Sequence, residues 1–278
     1  SGFLVAWGGM VATLAIAILL SLVVALHLIT VHIDEARETT EETEPKRVDL
    51  AGTFRVVLAI PGLFALILFS CFNNLLGGVF MALMDAYGLS LMEVQEWGML
   101  WAVTSLGFIL SGVLIARTGL GKNPIRTLLL VCLAEWVIAA VFTLQSSIPL
   151  LAIGCFLWLF LGPYAEAAEQ TAMQKVVPYE RQGRVFGFAQ SVELAASPLT
   201  AFLIAPLTQF FFVPFMTDGA GAAAIGDWFG RGPERGIALV FTITGLLGVI
   251  LTIVAFRSRS YRMISSAYAA GQDSTPSA

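Results

Sequence analysis

A chain of 278 residues that is 58% hydrophobic and only 12% charged carries more apolar side chains than a soluble core of that size can hide. Its formal charge of −4 is local, because residues 34–49 alone hold seven acids and three bases and leave the remainder balanced. That balance excludes the basic stripe of a nucleic-acid-binding face, so no nucleic-acid partner is expected.

The partner that composition does call for is the lipid bilayer. The charges are bunched and leave uncharged runs of about 20 residues or more, which as helices rising about 1.5 Å per residue cross about 30 Å of hydrocarbon. The reading is an all-α membrane protein with seven transmembrane helices. The first, 3–30, is a full-length apolar run rather than the short core of a signal peptide. A linker at 31–55, rich in Asp, Glu and Thr, reads as a solvated acidic connection. Six further spans follow at 56–84, 97–116, 127–144, 150–174, 185–213 and 237–256, and a tail at 257–278 ends in a small polar stretch expected to be disordered. Trp97 and Trp101 open the third span, where an interfacial belt and ordinary packing both fit. The segment 212–236 reads as a short amphipathic turn on the membrane surface. Cys71, Cys132 and Cys155 lie in apolar runs at spacings that fit neither a disulfide frame nor a zinc site, and no metal or cofactor is expected.

Positive charge is retained on the cytoplasmic side of membrane proteins. Of the 15 Lys and Arg, only Arg231 and Arg235 fall on one side of this map. The amino terminus is therefore expected outside and the carboxy terminus in the cytoplasm, in a cell (inner) membrane. An odd number of spans and no initiator Met lead to a further expectation. The chain reads as a fragment, six of its helices forming one half of a repeat-built transporter whose amino-terminal half is missing.

Ionisable residues inside the spans are His27, Glu135, Glu166, Glu169 and Glu193. A carboxylate there costs a few kcal/mol on insertion scales, so each asks for a reason. Glu135, Glu166 and Glu193 each lie nine residues from a boundary base (Arg126, Lys175 and Arg184), or about 13 Å along a helix, near the depth at which transporters hold substrates and coupling ions. With no base in the spans to neutralise them, low dielectric favours their protonated form, which is what a proton carrier requires. A carboxyl held by a neighbouring helix without titrating is the alternative. Glu169 and His27 read as side chains reaching toward the interface. Pro163 interrupts the fifth span, and the spacing 163, 166, 170, 174 sets Glu166, Gln170 and Gln174 along one face. Asn73 and Asn74, followed by Gly77 and Gly78, interrupt the second span.

Gly112, Arg117, Gly119, Gly121 and Lys122 carry a resemblance. The stretch from Gly112 to Pro124 resembles the major facilitator superfamily loop signature Gly-x-x-x-Asp-Arg/Lys-x-Gly-Arg-Arg/Lys, with Ala116 in place of the acid and Gly121 in place of a base. A second stretch, Gly162-Pro163-Tyr164 through Gln174-Lys175-Val176-Val177-Pro178 to Gly183-Arg184-Val185-Phe186-Gly187, is similar to the tenth-to-eleventh helix region of macrolide-efflux and enterobactin-exporter-like members. The resemblance implies that 3–30 is the sixth helix and 56–256 the carboxy-terminal half. It also implies that the seventh and tenth helices line a central cavity, which ranks Glu166, Asn73 and Asn74 first, Glu193 second and Glu135, on a peripheral helix, third. The activity it implies is export of amphipathic small molecules or drugs by proton antiport, as in multidrug resistance, with a small-molecule substrate and protons as partners. A lysophospholipid or siderophore exporter and a non-transporting scaffold are the alternatives. An enzyme is not expected, since the spans hold no HExxH or GxSxG motif.

The topology is open to direct test with single cysteines in a Cys-free background and an impermeant maleimide on intact cells. Positions in 85–96 and 214–236 are expected to label, and positions in 31–55 and 175–184 only after permeabilisation. Labelling of 175–184 in intact cells would reverse the map.

Overall fold

The computed structural model describes residues 2–30 and 50–273. Every regular element among them is helical, and seven stretches are long and apolar enough to cross a membrane.

Helix α1 (Gly2–Thr30) belongs to the first of two compact units. Its backbone departs from helical geometry at Gly9, so the continuous apolar stretch is Val11–Thr30. Most of the predicted acidic linker, 31–49, lies outside the described residues; its last residues form the start of α2 (Leu50–Ala59).

The unit that begins at Leu50 contains the other six spans. The second span was expected at 56–84, but Pro61 offers no N–H and Gly62 adopts φ 82°, so α2 ends and a new helix, α3 (Leu63–Leu91), begins there. A Cβ on Gly62 would also come within 2.6 Å of the Ser260 carbonyl oxygen. The far end of α3 runs past Asp85, whose Oδ1 accepts a hydrogen bond from Trp97 Nε1 at 2.9 Å instead of marking a water boundary. The third span is two helices, α4 (Val94–Thr104) and α5 (Leu106–Thr118), started by a reciprocal cap between Glu93 and Glu96. Next come α6 (Pro124–Val141), α7 (Ile148–Val176) and α8 (Tyr179–Leu207). The chain passes Pro163 without leaving the helix. After α8 a wide turn at Thr208–Phe212 leads into α9 (Val213–Thr217).

Two of the remaining segments are helical. Within 212–236, read as a short amphipathic turn, lies a helix, α10 (Ala220–Phe229), which buries Gly221, Ala222, Gly226 and Phe229 and leaves Trp228 exposed. Its small residues allow that approach, since Gly221 lies directly on the Phe215 ring. The tail is helical too, as α12 (Arg259–Asp273), which follows α11 (Pro233–Arg257) and buries Ile264 and Tyr268. The polar stretch expected to be disordered, from residue 274 on, lies outside the described residues.

Small residues let the spans close. Gly78 of α3 faces Ser197 of α8, Gly107 of α5 faces Phe156 of α7, and Gly245 and Gly248 of α11 face Ala140 and Trp136 of α6. Between them stands an aromatic core in which Phe80 stacks on Phe241 at 4.7 Å and on Trp158 at 5.3 Å. One end of the unit is fastened by Arg235, which the sequence placed in a loop. It is buried, donating to the carbonyl oxygens of Phe229 (2.5 Å) and Leu144 (2.8 Å) and to Ser146 Oγ (3.3 Å), with its guanidinium 4.2 Å from the Phe229 ring centroid.

The closest helix approach gives a stability prediction. A Cβ on Gly245 would lie 2.4 Å from the Ala140 backbone nitrogen, which cannot move without shifting α6. Gly245→Ala is expected to destabilise the unit by about 1–3 kcal/mol, read as a lower melting temperature in detergent. Gly98→Ala, with open space at its Cβ, should leave melting unchanged.

Candidate functional site

Polar side chains inside the spans gather where α3, α7 and α8 come together. Residues 70, 73, 74 and 77 recur at helical spacing on α3, and α7 presents 166, 169 and 170. Between Thr127 and Gln174, and again between Val185 and Gly230, the chain has no Lys or Arg. Any carboxylates drawn together here must be accommodated by other means.

Glu169 points into the bundle. Its Oε1 accepts the hydroxyl hydrogen bond of Ser70, joining α7 to α3. The carboxyl of Glu193, from α8, faces it side chain to side chain, and Glu166 is the third carboxyl acting on both. Glu193 Oε1 is buried without a hydrogen-bond partner among the described residues. Glu166 itself is exposed, and its Oε1 accepts from Gln170 Nε2 at 3.2 Å. Beside Glu193, the Cys71 thiol reaches the Val192 carbonyl oxygen at 3.7 Å, a second tie between α3 and α8.

The remaining candidates lie elsewhere. Asn73 faces α6, where its Oδ1 accepts from Trp136 Nε1 at 2.8 Å, and Asn74 turns back on its own helix to the Ser70 carbonyl oxygen at 3.0 Å. Glu135 is buried on α6 against Gly162 of α7. Gly112 and Arg117 on α5, and Gly119, Gly121 and Lys122 in the loop after it, are all exposed. The loop is held in shape by its neighbours: Thr127 Oγ1 donates to the Leu120 carbonyl oxygen at 2.8 Å, and Asn123 caps α6 and reaches Ser265 of α12 at 2.6 Å.

Sequence reasoning therefore found Glu166 and Glu193 but missed their companions. Glu169 was set aside as reaching to the interface, and Ser70 was not considered. The available signal was spacing: Ser70 lies four residues before Asn74 on the same face of α3, and Glu169 lies three after Glu166.

Residues 1–201 match the Major Facilitator Superfamily. The chain belongs to that superfamily. No curated protein and no solved structure matches it. Membership makes the chain a multi-pass membrane protein and a secondary transporter. The superfamily match runs through every helix that contributes to the carboxyl cluster, from α3 to the Glu193 stretch of α8.

The Ser70–Glu169 bond is measurable. Ser70→Ala is expected to destabilise the protein by about 1–2 kcal/mol, by removing the donor to a buried carboxyl. In a Glu169→Leu background, which has no acceptor, the same change should cost much less. Strict additivity in thermal unfolding of the four proteins would show that the two side chains do not interact.

Proposed function

We propose that this chain is the sixth helix and carboxy-terminal half of a proton-coupled exporter of amphipathic small molecules, in the macrolide-efflux and enterobactin-exporter-like branch. Residues 1–30 supply the sixth helix, 31–55 a cytoplasmic linker, 56–256 the six-helix half and 257–278 a cytoplasmic segment. The amino terminus is outside and the carboxy terminus in the cytoplasm of the cell membrane.

The observation that carries the reading is the carboxyl cluster of Glu166, Glu169 and Glu193. Two carboxyls can hydrogen-bond to each other only if one of them holds a proton. With no base in these spans, a proton is the charge that relieves the crowding of Glu169 and Glu193. Glu166 is the member open to an entering solute. A cationic solute there favours the ionised cluster and releases the proton, and a returning proton displaces the solute. Proton and solute then alternate at one site, which is antiport.

Glu166 also supports the two-half arrangement. An exposed carboxylate in mid-span is costly against hydrocarbon and is tolerated against a water-filled cavity or another protein surface. In a transporter made of two halves, that surface is the amino-terminal half.

In the complete transporter, Glu166→Gln keeps the hydrogen bond with Gln170 but cannot ionise. It is expected to abolish coupled efflux without loss of expression, and Glu169→Gln or Glu193→Gln to shift its pH dependence. Glu135→Gln, on α6, should matter less. Efflux from whole cells across a pH series, with and without an uncoupler, is the measurement; wild-type efflux and pH dependence in Glu166→Gln would refute the assignment.

A further inference from the structure

A cleft of about 340 Å³ opens between α3, the α4–α5 pair and α7, with α6 behind it, a volume in the range of small-molecule sites. It lies 10 to 15 residues further along α3 than Ser70, about 15–22 Å from the carboxyl cluster. Phe80, Trp101, Phe108 and Trp158 wall it, and Met81 and Met84 line its mouth. The back wall is rigid, because Phe80 and Trp158 stack on each other and Phe142 and Trp136 brace them at 5.3–6.1 Å between ring centroids.

Asp85 is the one charged residue in the lining. Its direction is set by Trp97, which donates to Oδ1 at 2.9 Å. Trp97 in turn is wedged over Gly88, where a Cβ would come within 2.5 Å of the indole. No Lys or Arg occurs between Val56 and Ala116 or between Thr127 and Gln174. The two bases at this end of the unit are engaged elsewhere. Arg231 is paired with Asp227 at 2.8 Å, and Arg235 is buried against Phe229, Leu144 and Ser146. A carboxylate held at the edge of an aromatic box, with no cation beside it among the described residues, is complementary to a flat, positively charged ligand.

We propose that this cleft binds a planar aromatic monocation, its rings against Phe80 and Trp158 and its charged centre at Asp85. Aromatic faces attract cations, and methionines adapt to rings of differing outline. An acyl chain would make no use of the carboxylate, and an anion would be repelled by it. The inference names the solute class for the transport reading above and rests on it, but it concerns a position separate from the carboxyl cluster.

The test uses the 278-residue chain in detergent, with ethidium as the cation and pyrene as an uncharged aromatic of similar breadth. Ethidium is expected to bind saturably. Asp85→Asn keeps the acceptor for Trp97, so the fold survives, and it should weaken ethidium roughly fivefold, as for an exposed ion pair, while leaving pyrene unchanged. Trp158→Leu should weaken both, and Asp227→Asn neither. As a check independent of affinity, maleimide labelling of Met81→Cys in a Cys-free background should be slowed by ethidium. No saturable ethidium binding, equal binding to Asp85→Asn, or no protection at Met81→Cys would overturn the proposal. Loss of ethidium in Glu166→Gln with none in Asp85→Asn would overturn the cleft and leave the carboxyl-cluster reading standing.

Discussion

Hydrocarbon supplies no hydrogen-bonding partners, and the arrangement of this protein follows from that. Most polar side chains within its spans are satisfied by protein. Thr104, Thr200 and Thr252 return to carbonyl oxygens of their own helices, Thr143 crosses to the Ala238 carbonyl oxygen at 3.3 Å, and Asn73 meets Trp136. Glu166 and Glu193 do not fit the pattern, one exposed in mid-span and the other with a buried oxygen left unpaired. Tyr87, Ser111, Thr208 and Thr242 also keep a buried hydroxyl without a partner among the described residues. A carboxyl is far costlier to leave so, and Glu166 and Glu193, with Glu169 between them, are the exceptions that most call for a function.

The same constraint explains what the sequence could and could not disclose. Seven spans were legible because transfer from water to hydrocarbon dominates every other preference over a 20-residue window, and all seven are present. Their ends were less legible. Boundary charge put the start of the second span near Arg55, whereas backbone chemistry at Pro61 and Gly62 decides it. Asp85 looked like the end of that span and is instead held by Trp97, twelve residues on, a partnership that no periodicity encodes. The amphipathic α12 was read as tail because its composition is polar; what orders it is a tertiary contact, Ile264 against Gly62 and Ser265 against Asn123.

The candidate site was legible as chemistry and not as geometry. Depth counting identified three glutamates, yet it treated their helices as equivalent. Helix rotation separates Glu135, which turns toward Gly162, from the cluster, and brings in Glu169, which turns toward Ser70. Three residues along α7 change the facing direction by about 60°, enough to exchange an interface residue for a bundle residue. That angle is fixed by which small residues contact which neighbour, information spread over Gly78, Ala168 and Ala172 rather than carried by the acids themselves.

Helix α3 is where these features meet. Its backbone packs against α8 and α11, whereas it reaches α7 through side chains, Ser70 to Glu169 at one level and Phe80 to Trp158 at another. The two levels are different kinds of contact. Ser70 to Glu169 is a directional hydrogen bond to an ionisable group, so its strength depends on whether the carboxyl carries a proton. Phe80 to Trp158 is a stack of apolar rings that tolerates sliding. Helix α3 is thus packed along its back and joined across its front to α7 by contacts of both kinds.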